Sequence, residues 1–143
     1  MSVTAASAPT PAGLLLLAHG SSDPQWAAPF EQIARSTRDA YPGPVVLGYL
    51  ERMAPDADAA IDELVRAGAT QAVIVPLLLA AGSHVRRDLP ALCARARARH
   101  PVLTITVSDP VGEVALIQHA IVSFALAQAK AATPAACAAQ SLR

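Results

Sequence analysis

Between Gly13 and Ala129 the chain alternates four times between a short apolar run and a helical pattern. Leu14–Ala18 is continuously apolar and stops at His19-Gly20-Ser21-Ser22. Trp26, Phe30, Ile33, Thr37 and Tyr41 then recur at four- and three-residue steps, the spacing of one helix face. Pro24 after Asp23 suits a helix start, while Pro29 would remove an interior hydrogen bond, so irregular first turns are expected. Val45–Leu50, behind Pro42-Gly43-Pro44, is the second predicted strand. Asp56 caps a helix whose face is Ala57, Ala60, Ile61, Leu64 and Val65, closed by Gly68. Ala72–Leu79 is the third and most apolar run, leading into Ala80-Ala81-Gly82-Ser83-His84. A third helix is predicted from Asp88 or Leu89, with Pro90 in its first turn, to His100-Pro101. Val102–Val107 is the fourth strand and Gly112–Ala129 the fourth helix.

Strands that are apolar on both faces and alternate with helices predict a parallel sheet covered on both sides. Right-handed crossovers make this a doubly wound four-stranded α/β sandwich, with strand order 2-1-3-4 expected. In such a sheet a ligand binds beyond the carboxyl ends of the strands, where the order reverses, here between the first and third strands. The fourth helix carries Val114, Ile117, Ile121 and Phe124 as one stripe, yet Leu116, Ala120, Val122 and Leu126 leave little polar surface elsewhere. A helix apolar almost all round asks for burial on both sides. Self-association would supply it; alanine-rich faces that tolerate water are the equal alternative.

At 143 residues the chain is one domain's worth, here taken as residues 13–129 between disordered tails at 1–12 and 130–143. Eleven basic against eleven acidic residues leave no formal charge, which argues against a nucleic-acid or anionic-membrane surface. Ten of the eleven basic residues are arginine, so an isolated arginine carries little weight. Cys93 and Cys137 are too few to staple a secreted mini-domain. Leu14–Ala18 is too short for a signal sequence and no window reaches a membrane span, so a cytoplasmic protein is expected.

Three polar side chains stand where the fold places a site. His19 follows strand one, Glu51 follows strand two, and His84 lies in the loop after strand three. Strand order 2-1-3 sets Glu51, His19 and His84 side by side. Two imidazoles and a carboxylate are an N,N,O set suited to a divalent first-row metal, reactive if a coordination position stays open. A lone histidine at a strand end is more often a satisfied loop residue, but three such groups on adjacent strand ends are harder to dismiss. His100, at a helix end, and His119, on the fourth helix, read as structural or solvated. Gly20-Ser21-Ser22-Asp23 and Gly82-Ser83 offer hydroxyl and backbone donors to anionic groups. Arg86 and Arg87, just beyond His84, could pair with carboxylates or simply be solvated. No dinucleotide, phosphate-loop, zinc-protease or serine-hydrolase motif is present.

At these residues the chain resembles a known family. LLLLAHGSSDP, LGYLERMAPD and VIVPLLLAAGSHVRRDLP together are similar to the small CbiX/SirB-type class II chelatases, over about Gly13 to Ala127. The resemblance implies insertion of Co²⁺ or Fe²⁺, with Ni²⁺ also possible, into sirohydrochlorin on routes to cobalamin, sirohaem and related cofactors. The metal is then a substrate and no cofactor is permanently bound. His19 and His84 match the family's metal-binding and catalytic histidines, and Glu51 the acidic residue beside them in some members. Ser21, Ser22, Ser83 and Arg86 become candidate anchors for the carboxylates of the tetrapyrrole. Tyr49-Leu50-Glu51 stands where the family usually has Phe-Leu-Glu, and Ala80-Ala81 replaces a bulkier or glycine-containing loop. Longer members carry two such halves, so a one-half chain implies a homodimer.

Two other functions fit parts of the pattern. A protein that only binds or delivers a metal or tetrapyrrole would share every ligand with a chelatase. Ala18-His19-Gly20 also echoes the Arg-His-Gly that opens the histidine phosphatases, but alanine stands where that chemistry needs arginine.

Overall fold

Short apolar runs form the strands and stretches of helical period form the helices, in a computed structural model that describes residues 8–133. β1 (Gly13–Ala18), β2 (Val45–Tyr49), β3 (Gln71–Pro76) and β4 (Thr104–Val107) make one parallel sheet in the order β2-β1-β3-β4. This is the predicted order. The helices are α1 (Ala28–Ala40), α2 (Ala57–Arg66), α3 (Ser83–Arg99) and α4 (Ala115–Ala132). Cys137 and most of the two predicted tails lie outside the described residues; α4 itself runs past Ala129.

The central strand feeds two cores, because alternate side chains of a strand point to opposite faces. Leu15 and Leu17 pack with Ile61 and Leu64 of α2, Leu92 and Cys93 of α3, and Ile74 and Ile105. Leu16 and Ala18 pack with Ala27, Ala34, Leu47 and Tyr49 on the α1 side. Leu15, Leu17, Ile61, Leu64 and Ile74 are completely buried, each contributing roughly 1.5–3 kcal/mol by removal from water.

Local chemistry sets the helix ends. The Asp23 carboxylate accepts from Gln25 N at 2.9 Å and opens a 3-10 turn, Pro24–Ala27, before α1 begins, which is the irregular start expected from Pro24 and Pro29. Asp56 Oδ1 accepts from Ala59 N at 2.8 Å to cap α2. Across α2 and α3, Asp58 takes hydrogen bonds from Arg95 and Arg99, and Asp62 pairs with Arg99 and His100. His100 Nε2 lies 2.6 Å from Asp62 Oδ1, giving this histidine a structural role.

Near the site two boundaries differ from the expectation. β3 stops at Pro76 instead of running to Leu79. α3 begins at Ser83, so His84 lies in its first turn and not in a loop, and Pro90 lies inside the helix instead of in its first turn. Proline there removes only the hydrogen bond to Arg86, on an exposed stretch. α4 covers neither face: none of its residues is buried.

Candidate functional site

The carboxyl ends of β1 and β2 continue to pair after the strands end. Leu50 N donates to Ala18 O at 2.9 Å and Glu51 N to His19 O at 3.0 Å. The backbone therefore carries His19 and Glu51 out of the sheet as neighbours. Gly20 turns the chain away with φ +96°, and a Cβ at this position would run into the Glu51 carbonyl. Only glycine combines that dihedral with so close a backbone approach. On the other side of β1, Leu77 N donates to Leu17 O at 2.8 Å, extending β3 toward the segment that starts α3.

One cavity of about 290 Å³ lies between these ends, lined by His19, Leu50, Glu51, His84, Val85 and Asp88. The site falls at the reversal of strand order, as expected of a doubly wound sheet. The ends of β1 and β2 and the first turn of α3 bring together all three predicted groups, His19, Glu51 and His84. Asp88 joins them. Because α3 starts at Ser83, Asp88 stands one helical turn after His84 and shares its face. Reading Asp88 as the helix start hid it; its spacing of four from His84 was the available signal.

The hydrogen-bonding groups beside each imidazole differ. His19 Nδ1 lies 3.3 Å from the Gly20 carbonyl oxygen and 3.6 Å from Glu51 Oε1. Both neighbours of Nδ1 are acceptors, so a proton on Nδ1 would be matched there, with Nε2 then the position open to a metal. Glu51 also meets Arg52 Nε at 3.4 Å, on a residue with φ +64°. His84 Nδ1 lies 3.3 Å from Arg87 Nη2. A guanidinium only donates, so this Nδ1 is an acceptor. Among the described residues no three His, Cys, Asp or Glu side chains close into a metal cage. His19 and Glu51 are both half exposed, at 51%.

The predicted anchors divide. Ser21 Oγ accepts from Asp23 N at 3.1 Å, beside the His19 turn. Ser22 is exposed in the same turn, and Ser83 is the exposed first residue of α3, next to His84. Arg86 instead lines a separate groove with Leu89, Pro90, Cys93, Arg97 and Val107, and Arg87 is the arginine that reaches His84. His119 is exposed on α4.

A profile of the CbiX family matches residues 13–126. The sirohydrochlorin cobaltochelatase of Saccharolobus solfataricus is 36% identical over 106 residues, covering 70% of this chain and 82% of the relative. The crystal structure of a cobalamin (vitamin B12) biosynthesis CbiX protein from Marinobacter aquaeolei superposes with a TM-score of 0.76 at 34% identity, covering 85% of this chain and 99% of that one. The sirohydrochlorin chelatase SirB from Bacillus subtilis subspecies spizizenii, in complex with cobalt, shares the fold with a TM-score of 0.73 at 24% identity; the match covers 84% of this chain and 50% of that one. With the profile spanning the whole sheet and both His19 and His84, this chain belongs to the CbiX family.

Proposed function

We propose that this protein is an enzyme that inserts a divalent metal into sirohydrochlorin, with Co²⁺ the first candidate and Fe²⁺ or Ni²⁺ the next. The supporting observation is that His19, Glu51 and His84, which are far apart in the chain, line one cavity at the switch point of the sheet. The 36% identity to a sirohydrochlorin cobaltochelatase supports the choice of substrate. We further take the working unit to be a cytoplasmic homodimer. Among the described residues no helix is long and apolar enough to cross a membrane.

Insertion exchanges two pyrrole N–H protons for one ion. His19 offers its Nε2 lone pair to the metal while Glu51 and the Gly20 carbonyl hold Nδ1–H. Glu51 also offsets the charge of the ion. A pocket of about 290 Å³ is at the small end for drug-sized ligands, so a macrocycle lies across it instead of entering it. Carboxylates on the ring draw Arg87 into bidentate pairing and away from His84. That releases the His84 Nδ1 lone pair to accept one pyrrole proton, and Glu51 takes the second as the ion passes from the site into the ring. Ser21, Ser22 and Ser83 hydrogen-bond to further carboxylates around the rim, while Arg86, which lines a separate groove, is the weaker anchor.

The test is purified protein with sirohydrochlorin and each metal in turn, followed by the absorption change of the macrocycle. Many turnovers per chain are expected, with cobalt the fastest. A shift that stops at one equivalent would make the protein a carrier, and no shift with any metal would remove the assignment.

A further inference from the structure

Arg52 follows Glu51 directly, on the rim of the site. In an extended chain successive side chains leave on opposite faces, so a residue next to Glu51 would carry its guanidinium away from the carboxylate. Arg52 does not. Its φ of +64° makes it the one non-glycine residue with positive φ among the described residues, and its Nε comes to 3.4 Å from Glu51 Oε1. Met53 N donates to Glu51 O at 2.8 Å, closing a γ-turn centred on Arg52. With positive φ at its centre this is the rare, strained kind of γ-turn. Backbone of this sort is costly for an L residue and clusters at active sites and ligand clamps.

The strain does not serve a tight ion pair. Charge-assisted hydrogen bonds from nitrogen to carboxylate run at about 2.7–2.9 Å. The α2–α3 cluster reaches that length, with Arg99 Nη1 and Arg95 Nη2 at 2.7 and 2.9 Å from Asp58. Arg52 stops at 3.4 Å, has no other polar side-chain contact among the described residues, and leaves its side chain 61% exposed. Arg87 is held as loosely, with Nη2 at 3.3 Å from His84 Nδ1 and Nε at 3.4 Å from Ser83 O. Two guanidiniums thus rest on the cavity lining, one beside Glu51 after β2 and one beside His84 in α3. Neither is saturated by the group that it touches.

We propose that Arg52 is a second carboxylate anchor for the macrocycle, forming a clamp with Arg87, an inference that rests on the enzymatic reading above. A guanidinium takes a carboxylate through two parallel N–H donors, a capacity that the single approach to Glu51 leaves unused. A flat ring fringed with carboxylates, laid over the cavity, presents them to both arginines at once. When Arg52 turns from Glu51 to the ring, the Glu51 carboxylate is left unopposed beside the ion. The clamp therefore selects rings by their carboxylates and couples docking of the ring to exposure of Glu51.

The experiment measures two bindings separately in the full chain. Metal-free sirohydrochlorin is titrated by its absorption and Co²⁺ alone by calorimetry, against the unaltered protein, Arg52→Gly and Arg52→Gln. Glycine accepts a positive φ freely, so Arg52→Gly keeps the turn, while Arg52→Gln keeps a long side chain without the charge. Ring binding is expected to weaken about tenfold in both variants, the usual scale for a hydrogen bond to a charged group. Co²⁺ binding is expected to hold or to tighten, because a cation has left the side of Glu51. Ring and Co²⁺ binding falling together would make Arg52 a support of the Glu51 turn and overturn the anchor. Unchanged ring binding in both variants would overturn it too. Combining Arg52→Gln with Arg87→Ala should lose about the product of the two single effects, and a double variant no weaker than Arg87→Ala would overturn the clamp. Metal insertion by the unaltered protein is followed in parallel. Turnover there, with normal ring binding by the Arg52 variants, removes the anchor alone; failure of the unaltered protein to bind sirohydrochlorin removes the enzymatic reading as well.

Discussion

Glu51 Oε1 lies 3.6 Å from His19 Nδ1, and the backbone bond from Glu51 N to His19 O fixes the two residues as neighbours. The carboxylate is thus an orienting group for the imidazole as well as a charge. Glu51→Gln keeps the size and loses the charge. Partners of metal-binding histidines are typically worth 10–100-fold, so metal insertion by Glu51→Gln is expected to slow by about that factor. Initial rates against metal concentration would show it.

His19→Ala and His84→Ala should each cost about 10²-fold or more, the usual range for removing a group that transfers a proton or holds the reacting centre. The two variants should differ in kind. Direct titration of the metal should weaken most in His19→Ala, while His84→Ala should keep more metal affinity and lose turnover. Near-normal insertion by both proteins would end the proposed mechanism.

Arg87→Ala frees His84 Nδ1 from its donor and removes a partner for substrate carboxylates. The Michaelis constant for the tetrapyrrole should rise several-fold while binding of the metal alone is unchanged. Arg86→Ala, whose side chain lines another groove, should have the smaller effect. The comparison is made with steady-state kinetics of both variants.

Gly20→Ala tests the turn. Its φ of +96° is strained for alanine, and the new Cβ would press on the Glu51 carbonyl. A destabilisation of about 1–3 kcal/mol is expected, with loss of metal insertion because His19 and Glu51 are pushed apart. Gly68→Ala is the control: its φ is +94° but the space around it is open. That variant should lower the melting temperature and leave the rate per folded molecule intact.

Acid should unfold the protein partly through the α2–α3 ion cluster. Burial pushes Asp58 up, but hydrogen bonds from Arg95 and Arg99 more than reverse this, so its carboxyl sits below the ordinary range. Asp62 is also lowered, chiefly by the His100 hydrogen bond, against a burial penalty and with help from Arg99. An unfolded aspartate titrates near 3.9. Lowered folded values mean that the unfolded chain binds protons more readily, so this stabilisation is complete above about pH 4 and fades as pH falls through the folded values. These side chains are about one third exposed, so solvent screening limits each pair to at most about 1 kcal/mol. Denaturant melts of Asp58→Asn and Asp62→Asn across pH should show a lower plateau and a shallower acid decline.

Much of this architecture was legible from apolar periodicity, and for a physical reason. Leu15–Ala18 and Val45–Tyr49 are buried on both faces, so the runs are unbroken and the parallel sheet follows. The placement of His19, Glu51 and His84 needed only strand ends and strand order. Asp88 and the start of α3 were missed because Pro90 resembles a first-turn proline, and helix interiors that tolerate proline on an exposed side leave no mark in the sequence. The end of β3 was blurred because Leu77–Leu79 stay apolar after the ladder stops. For α4 the near absence of charge showed that burial is needed, but a hydropathy pattern cannot say which surface supplies it.

The cavity at the carboxyl end of the sheet is lined by His19, Glu51, His84 and Asp88. A flat ring laid over the proposed site would cover these groups, so the ion is expected to load first and the ring second. Stopped-flow mixing in the two orders would reveal this as a lag when the ring is added ahead of the ion.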